Sequence, residues 1–285
     1  MKEPALAHEY VVQMLPGAAP VFGQVVARAL VDDGYTYVGL MFVQPADNDI
    51  WFVNCTSECV DAANAYHIGI VASDTASQPL PVLGFGLTGE PVVAYRNVQN
   101  QLVLAACVAG PTTPCDQLVA TTLHGTANYP SMVVVGGRMP LLTAQVEATR
   151  DFLFIRCNNL ACTSVLRTTL STNSSSHFHA LDAQSGYFPR FTVVDDTNPD
   201  RYILYLGECT DAVCTPDDVV YTRVASGGHV GEDCTIRVAA NSTYILYHDP
   251  EPQLLWLAVC VDSPCTTLAK TILGTHTVRR KKNEV

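Results

Sequence analysis

Ten of the eleven cysteines fall in five close pairs, and the pairs recur at a fixed interval. They are Cys55/Cys59, Cys107/Cys115, Cys157/Cys162, Cys209/Cys214 and Cys260/Cys265, with Cys234 left over. Successive first cysteines lie 52, 50, 52 and 51 residues apart. A constant period of this length is the mark of a supersecondary unit repeated in space, because one such unit cannot bury its apolar side alone and must pack on its neighbours.

The residues ahead of each first cysteine show what the unit is made of. They read Ile50-Trp51-Phe52-Val53, Leu102-Val103-Leu104-Ala105, Phe152-Leu153-Phe154-Ile155, Leu204-Tyr205-Leu206 and Leu255-Trp256-Leu257-Ala258. Successive side chains of a strand point to opposite faces, so an unbroken apolar run must be covered on both sides. A middle strand clamped between two neighbouring sheets meets that demand. Trp51 and Trp256 share their place in the repeat with Val103, Leu153 and Tyr205, and are therefore read as core.

Each unit divides into four strands. In the third these are 131–135, 140–146, 152–156 and 164–170; in the second, 81–87, 91–95, 102–106 and 117–123. The fourth strands are rich in Thr and Val, as suits a half-exposed outer strand. The expected fold is all-β: a five-bladed β-propeller of four-stranded blades with a ~51-residue repeat and one disulfide per blade. Its blades span about 22–68, 69–125, 126–173, 174–225 and 226–274, after an N-terminal extension (1–21) and before a basic tail (275–285). Within the extension, residues 9–15 resemble a fourth strand.

The paired cysteines flank the turn between third and fourth strands. Opposed positions of an antiparallel pair lie about 4.5–5.5 Å apart, within reach of a disulfide. The expected bridges are Cys55–Cys59, Cys107–Cys115, Cys157–Cys162, Cys209–Cys214 and Cys260–Cys265, pinning each outer strand, with Cys234 a free, buried thiol. Zinc would need four converging ligands, whereas the pairs stand one per blade and no histidine lies in their loops.

The stretch Gly89-Glu90-Pro91-Val92-Val93-Ala94-Tyr95, followed by Leu102 to Cys107 and by Cys115, resembles a Gly-x-Pro-Val-x-x-Tyr … Leu-x-x-Ala-x-Cys … Cys repeat. That repeat occurs in tandem arrays of largely uncharacterised, mostly secreted proteins. The resemblance covers most of the chain, clearest in units two, three and five. It implies a propeller-like fold and transfers no functional residue. Five-bladed lectin propellers share the blade count but not these cysteines or their sugar-binding motif.

Paired cysteines imply an extracellular or secretory lumen, although no signal peptide is visible and no apolar run reaches the ~18–20 residues that span a bilayer. A net charge of −11 opposes binding to nucleic acid and to anionic membranes. The one basic cluster, Arg279 to Lys282, reads as a solvated tail.

Candidate sites are few. The turns between second and third strands gather carboxylates on one rim, most densely at Asp195, Asp196, Asn198 and Asp200. Those are calcium-ligand types, but the loop lacks the Gly and terminal Glu of an EF-hand, and Asp and Asn also make good turns. His177 and His179, at i and i+2, share a strand face without an identifiable third metal ligand. A propeller glycosidase needs carboxylates on inner strands. These strands carry little acid beyond Asp32, Asp33 and Asp182, and Glu208-Cys209 only echoes a hydrolase dipeptide. No catalytic residue and no cofactor is assigned. The expected function is a binding module for a glycan, peptide or protein at the loop face or central pit. The alternatives are a structural repeat of a larger surface protein or a glycoside-active hydrolase.

Overall fold

A computed structural model describes residues 29–32, 35–43, 48–55, 65–72, 75–76, 81–87, 89–107, 118–171, 179–183, 188–231, 234–239, 242–262 and 264–275. Among them are five four-stranded antiparallel sheets, each an up-and-down meander of consecutive strands. The first comprises Ala29–Asp32, Tyr35–Val43, Ile50–Cys55 and Ala65–Ala72. The second comprises Val82–Phe85, Pro91–Arg96, Leu102–Cys107 and Leu118–His124, and the third Ala127–Val135, Met139–Val146, Asp151–Cys157 and Val165–Ser171. In the fourth are His179–Asp182, Arg190–Asp195, Tyr202–Cys209 and Val219–Gly227. The fifth contains Cys234–Ala239, Ser242–Asp249, Leu254–Cys260 and Leu268–Thr275. No helix among the described residues is long and apolar enough to cross a membrane.

The sheets are arranged in a propeller-like series. First strands of the second to fifth sheets touch one another in order, so they form the inner edge. The Leu181 amide in the fourth sheet donates to the Ser131 hydroxyl of the third at 3.0 Å. Fourth strands alternate exposed and half-buried residues, as outer strands should.

Four apolar cores separate the five sheets: first from second, second from third, third from fourth and fourth from fifth. The same positions build each one. Residues five and three before the first cysteine face the following sheet: Ile50 and Phe52, Leu102 and Leu104, Phe152 and Phe154, Leu204 and Leu206. None of these is more than 6% exposed. The counterparts in the last sheet, Leu255 and Leu257, are only half-buried. Among the described residues no core joins the fifth sheet to the first. Trp51 and Trp256, read as core from their register, are half-buried; Trp256 stacks on Tyr247 with ring centroids 6.5 Å apart.

Three bridges are closed: Cys157–Cys162, Cys209–Cys214 and Cys260–Cys265, with Cα separations of 4.7, 5.1 and 5.6 Å. Cys107 is also disulfide-bonded. Cys59 and Cys115 lie outside the described residues, as does the strand expected at 9–15. The register corrects the reason given for the bridges. Cys157 stands opposite Val165, and Cys260 opposite Leu268, so the two sulfurs do not span a ladder position. The second cysteine sits within the loop, and Cys162 and Cys214 adopt a left-handed backbone with φ of 55° and 57°. Cys162, Cys214 and Cys265 are each buried in the core shared with the preceding sheet. The bridge thus shapes the loop and plugs a seam, where the sequence suggested that it pinned an outer strand.

Candidate functional site

The second and third sheets meet at a cleft of about 440 Å³. Three loops at one end of the sheets frame it: the first turn of the second sheet, the first turn of the third, and the cysteine loop of the third. Leu87 and Glu90 come from the first loop, Gly137 and Arg138 from the second, and Asn158, Asn159 and Leu160 from the last.

Glycines let these turns approach. Gly137 has φ +63°, and a Cβ there would lie 2.5 Å from both Cα and N of Leu87. No other residue fits against that backbone. In the opposing turn the Gly86 amide donates to the Glu90 carbonyl at 2.7 Å, and Gly89 takes φ +91° to close the loop before Pro91 starts the next strand. The Gly-x-Pro of the repeat is therefore the exit from this turn.

The cysteine loop is rigid. Besides its bridge, the Asn159 side-chain oxygen accepts from the Thr163 amide at 3.0 Å, and the Asn159 amide group donates to the Thr163 hydroxyl at 2.7 Å. The Asn158 side chain donates to Ser164 Oγ at 3.0 Å. This scaffold holds Leu160, partly buried against the seam, close to the exposed Leu87. The outcome is a cleft with a half-buried carboxylate (Glu90), an exposed guanidinium (Arg138) and two leucines. A carboxylate accepts and a guanidinium donates in fixed directions, and leucines offer a dry platform. Adjacent hydroxyls backed by C–H groups match that combination.

This cleft is at the end opposite the acidic turns to which the sequence pointed. Asp195 Oδ1 accepts from the Thr197 amide at 3.1 Å and its hydroxyl at 2.7 Å, while Asn198 Oδ1 accepts from the Asp200 amide at 3.0 Å. Asp196 pairs with Arg150 of the third sheet at 3.1 Å. Asn97 plays the same turn-making part in the second sheet, accepting from the amides of Gln99 and Gln101. His177 lies outside the described residues. His179 is half-buried, its ring edge-on to Phe152 at 5.1 Å.

Among the described residues, the grouping of three potential metal ligands is Cys260, Asp262 and Cys265. Its two sulfurs are bonded to each other, and Asp262 accepts from the Thr266 hydroxyl at 2.7 Å, so the group serves its own loop. Cys234 is in no disulfide and is half-buried rather than buried, 3.2 Å from Thr192 Oγ1.

The inner-strand Asp182 and the third-strand Glu208 do not line the cleft. Register places Asp182, Arg190 and Glu208 in one row across the fourth sheet. All three are buried. Glu208 pairs with Arg190 at 2.7 Å and accepts from the Cys265 amide of the fifth sheet. Asp182 accepts from the Val238 amide at 2.7 Å and lies 3.5 Å from Arg237. Arg190 also donates to Thr243. The row is a latch between the fourth and fifth sheets.

No protein-family model matches the chain, and no curated protein does. Solved structures do. AofleA from Arthrobotrys oligospora superposes with a TM-score of 0.56 at 10% identity, covering 91% of this chain and 75% of that one. The fucose-specific lectin of Aleuria aurantia gives 0.51 at 8% identity, with 86% and 76% covered. The Aleuria aurantia lectin in complex with Fucα1-6GlcNAc gives 0.53 at 9% identity, with 89% and 80% covered. The fold is shared with these proteins. At such identities the likeness extends to the fold alone, and about a quarter of the Aleuria lectin in the first superposition has no counterpart in this chain.

Proposed function

We propose that this protein is a non-catalytic carbohydrate-binding propeller, holding a glycan in the cleft between its second and third sheets. The observation that carries the reading is the meeting of Glu90, Arg138, Leu87 and Leu160, drawn from three loops, in one open cleft. The fold shared with the Aleuria lectin supports it. Glu90 and Arg138 would grip vicinal hydroxyls, and the leucines would take the apolar face of the ring. The buried acids that a propeller hydrolase would need are engaged elsewhere, Glu208 by Arg190 and the Cys265 amide. Closed disulfides suit an extracellular or secretory setting.

A glycan array probed with the intact protein tests the reading. Hits should vanish in Arg138→Ala and in Glu90→Gln while both variants keep the parent's melting temperature. An empty array together with turnover of a glycoside panel would replace the reading with the hydrolase. An empty array without turnover would favour the structural repeat, or a peptide or protein ligand at the acidic end around Asp195, Asp196, Asn198 and Asp200. Five blades closed into a ring by the chain's own first sheet is one way to complete the propeller.

A further inference from the structure

Gly86 is buried beneath the cleft and does not line it. Its backbone does not call for glycine, because its φ lies outside the left-handed region that Gly89 and Gly137 occupy. Space is the constraint. A Cβ at Gly86 would overlap Glu90 Oε2 and would lie 3.0 Å from Leu160 Cδ2. The Glu90 carboxylate therefore lies down over the bare Cα of Gly86, with Leu160 of the third sheet's cysteine loop beside it. What excludes a side chain here is the end of another side chain, not the backbone.

The repeat itself does not ask for glycine at this place. Gly39, Val92, Leu141 and Tyr244 align the units, since each stands opposite the residue before a first cysteine. Two positions before them are Tyr37, Glu90, Met139 and Ser242. Opposite these stand Leu30, Gly86, Val135 and Ala239. Three units thus carry a side chain near the end of the first strand. The unit that lacks one is the unit whose opposed residue is a glutamate. Glycine goes with the carboxylate, not with the fold.

We infer, resting on the glycan reading of the cleft, that Gly86 is a positioning residue for it. By carrying no side chain, it lets Glu90 lie low against Leu160 and sets the depth at which a sugar hydroxyl meets the carboxylate. Gly86 acts through Glu90 and does not touch the sugar. A methyl group at this position would push the carboxylate off its seat and leave the chain path unchanged, because only the end of a flexible side chain has to move. A charge-assisted hydrogen bond weakens steeply once its distance and angle leave the optimum.

Titration of the intact protein with its strongest hit on the glycan array tests this, using Gly86→Ala. Affinity should fall about tenfold or more, the worth of one hydrogen bond to a charged group. Gly125→Ala, where a Cβ meets open space, should leave affinity as it is. Melting temperature separates positioning from a general packing defect. Gly86→Ala should lower it in the wild-type chain and raise it in a Glu90→Ala background. There the main obstacle is gone, and alanine only narrows the freedom of the unfolded chain. Wild-type binding that Gly86→Ala leaves intact would overturn the inference and spare the glycan reading. So would a melting loss that persists undiminished without the Glu90 carboxylate. An array that is blank for the wild type would overturn both.

Discussion

The seam between the second and third sheets and the seam between the fourth and fifth answer one packing problem with opposite chemistry. Both are set by the same register, and in both a threonine of the outer strand grips the next cysteine loop. They part at the residue before the first cysteine. In the earlier seam it is Ala106, buried among Val92, Leu104 and Leu142. In the later one it is Glu208, buried with Arg190 and holding the Cys265 amide. Between them, Arg156 of the third sheet reaches the Ala212 carbonyl of the fourth at 2.9 Å. The position repeats and its chemistry does not: the job is to meet the following loop, and a methyl, a guanidinium or a carboxylate can each do it.

Breaking the ionic seam should have the largest effect. Glu208→Ala leaves Arg190 buried and uncompensated, and chemical denaturation should show a loss of about 3–5 kcal/mol. Replacing both partners by Glu208→Leu and Arg190→Met should recover most of that, because an apolar seam already works at Ala106. A double variant as unstable as the single would show that the seams are not interchangeable. Next comes the loop staple: Cys157→Ala with Cys162→Ala should cost about 2 kcal/mol by the chain-entropy estimate for so short a loop, read as a lower denaturation midpoint. Thr222→Val removes one hydroxyl from the later seam and should cost about 1 kcal/mol, with Thr121→Val matching it in the earlier one. Unequal losses would mean that the latch relieves Thr222 of its load. The smallest change in stability, within about 0.5 kcal/mol, belongs to the exposed Arg138→Ala, which should nonetheless abolish glycan capture on the array.

The architecture was largely legible because it is periodic. Cysteine spacing and the unbroken runs such as Leu102-Val103-Leu104 demand a middle strand with two covered faces, and four strands per unit follow in the structure within a few residues of where the sequence placed them. The candidate site was not legible. Glu90 and Arg138 are almost a full repeat apart and meet only because Gly137 lets one turn sit on the backbone of another. The pattern Gly136-Gly137-Arg138 facing Gly89-Glu90-Pro91 was the available clue, and in one chain it looks like turn chemistry. The latch was hidden for the same reason: Asp182, Arg190 and Glu208 become a row through strand register. Spacing also misled over the bridges. Cysteines five positions apart suggest partners across a ladder, but Val165 takes that place, and Cys162 turns inward at a left-handed corner.

That inward turn has a consequence for durability. The Cys157–Cys162 loop is tied at its base by sulfur, and its far cysteine is anchored in the neighbouring sheet's core. A protease that cut between Asn158 and Ala161 would produce two ends that neither separate nor unpack. The nicked protein should migrate as one piece until a reductant is added.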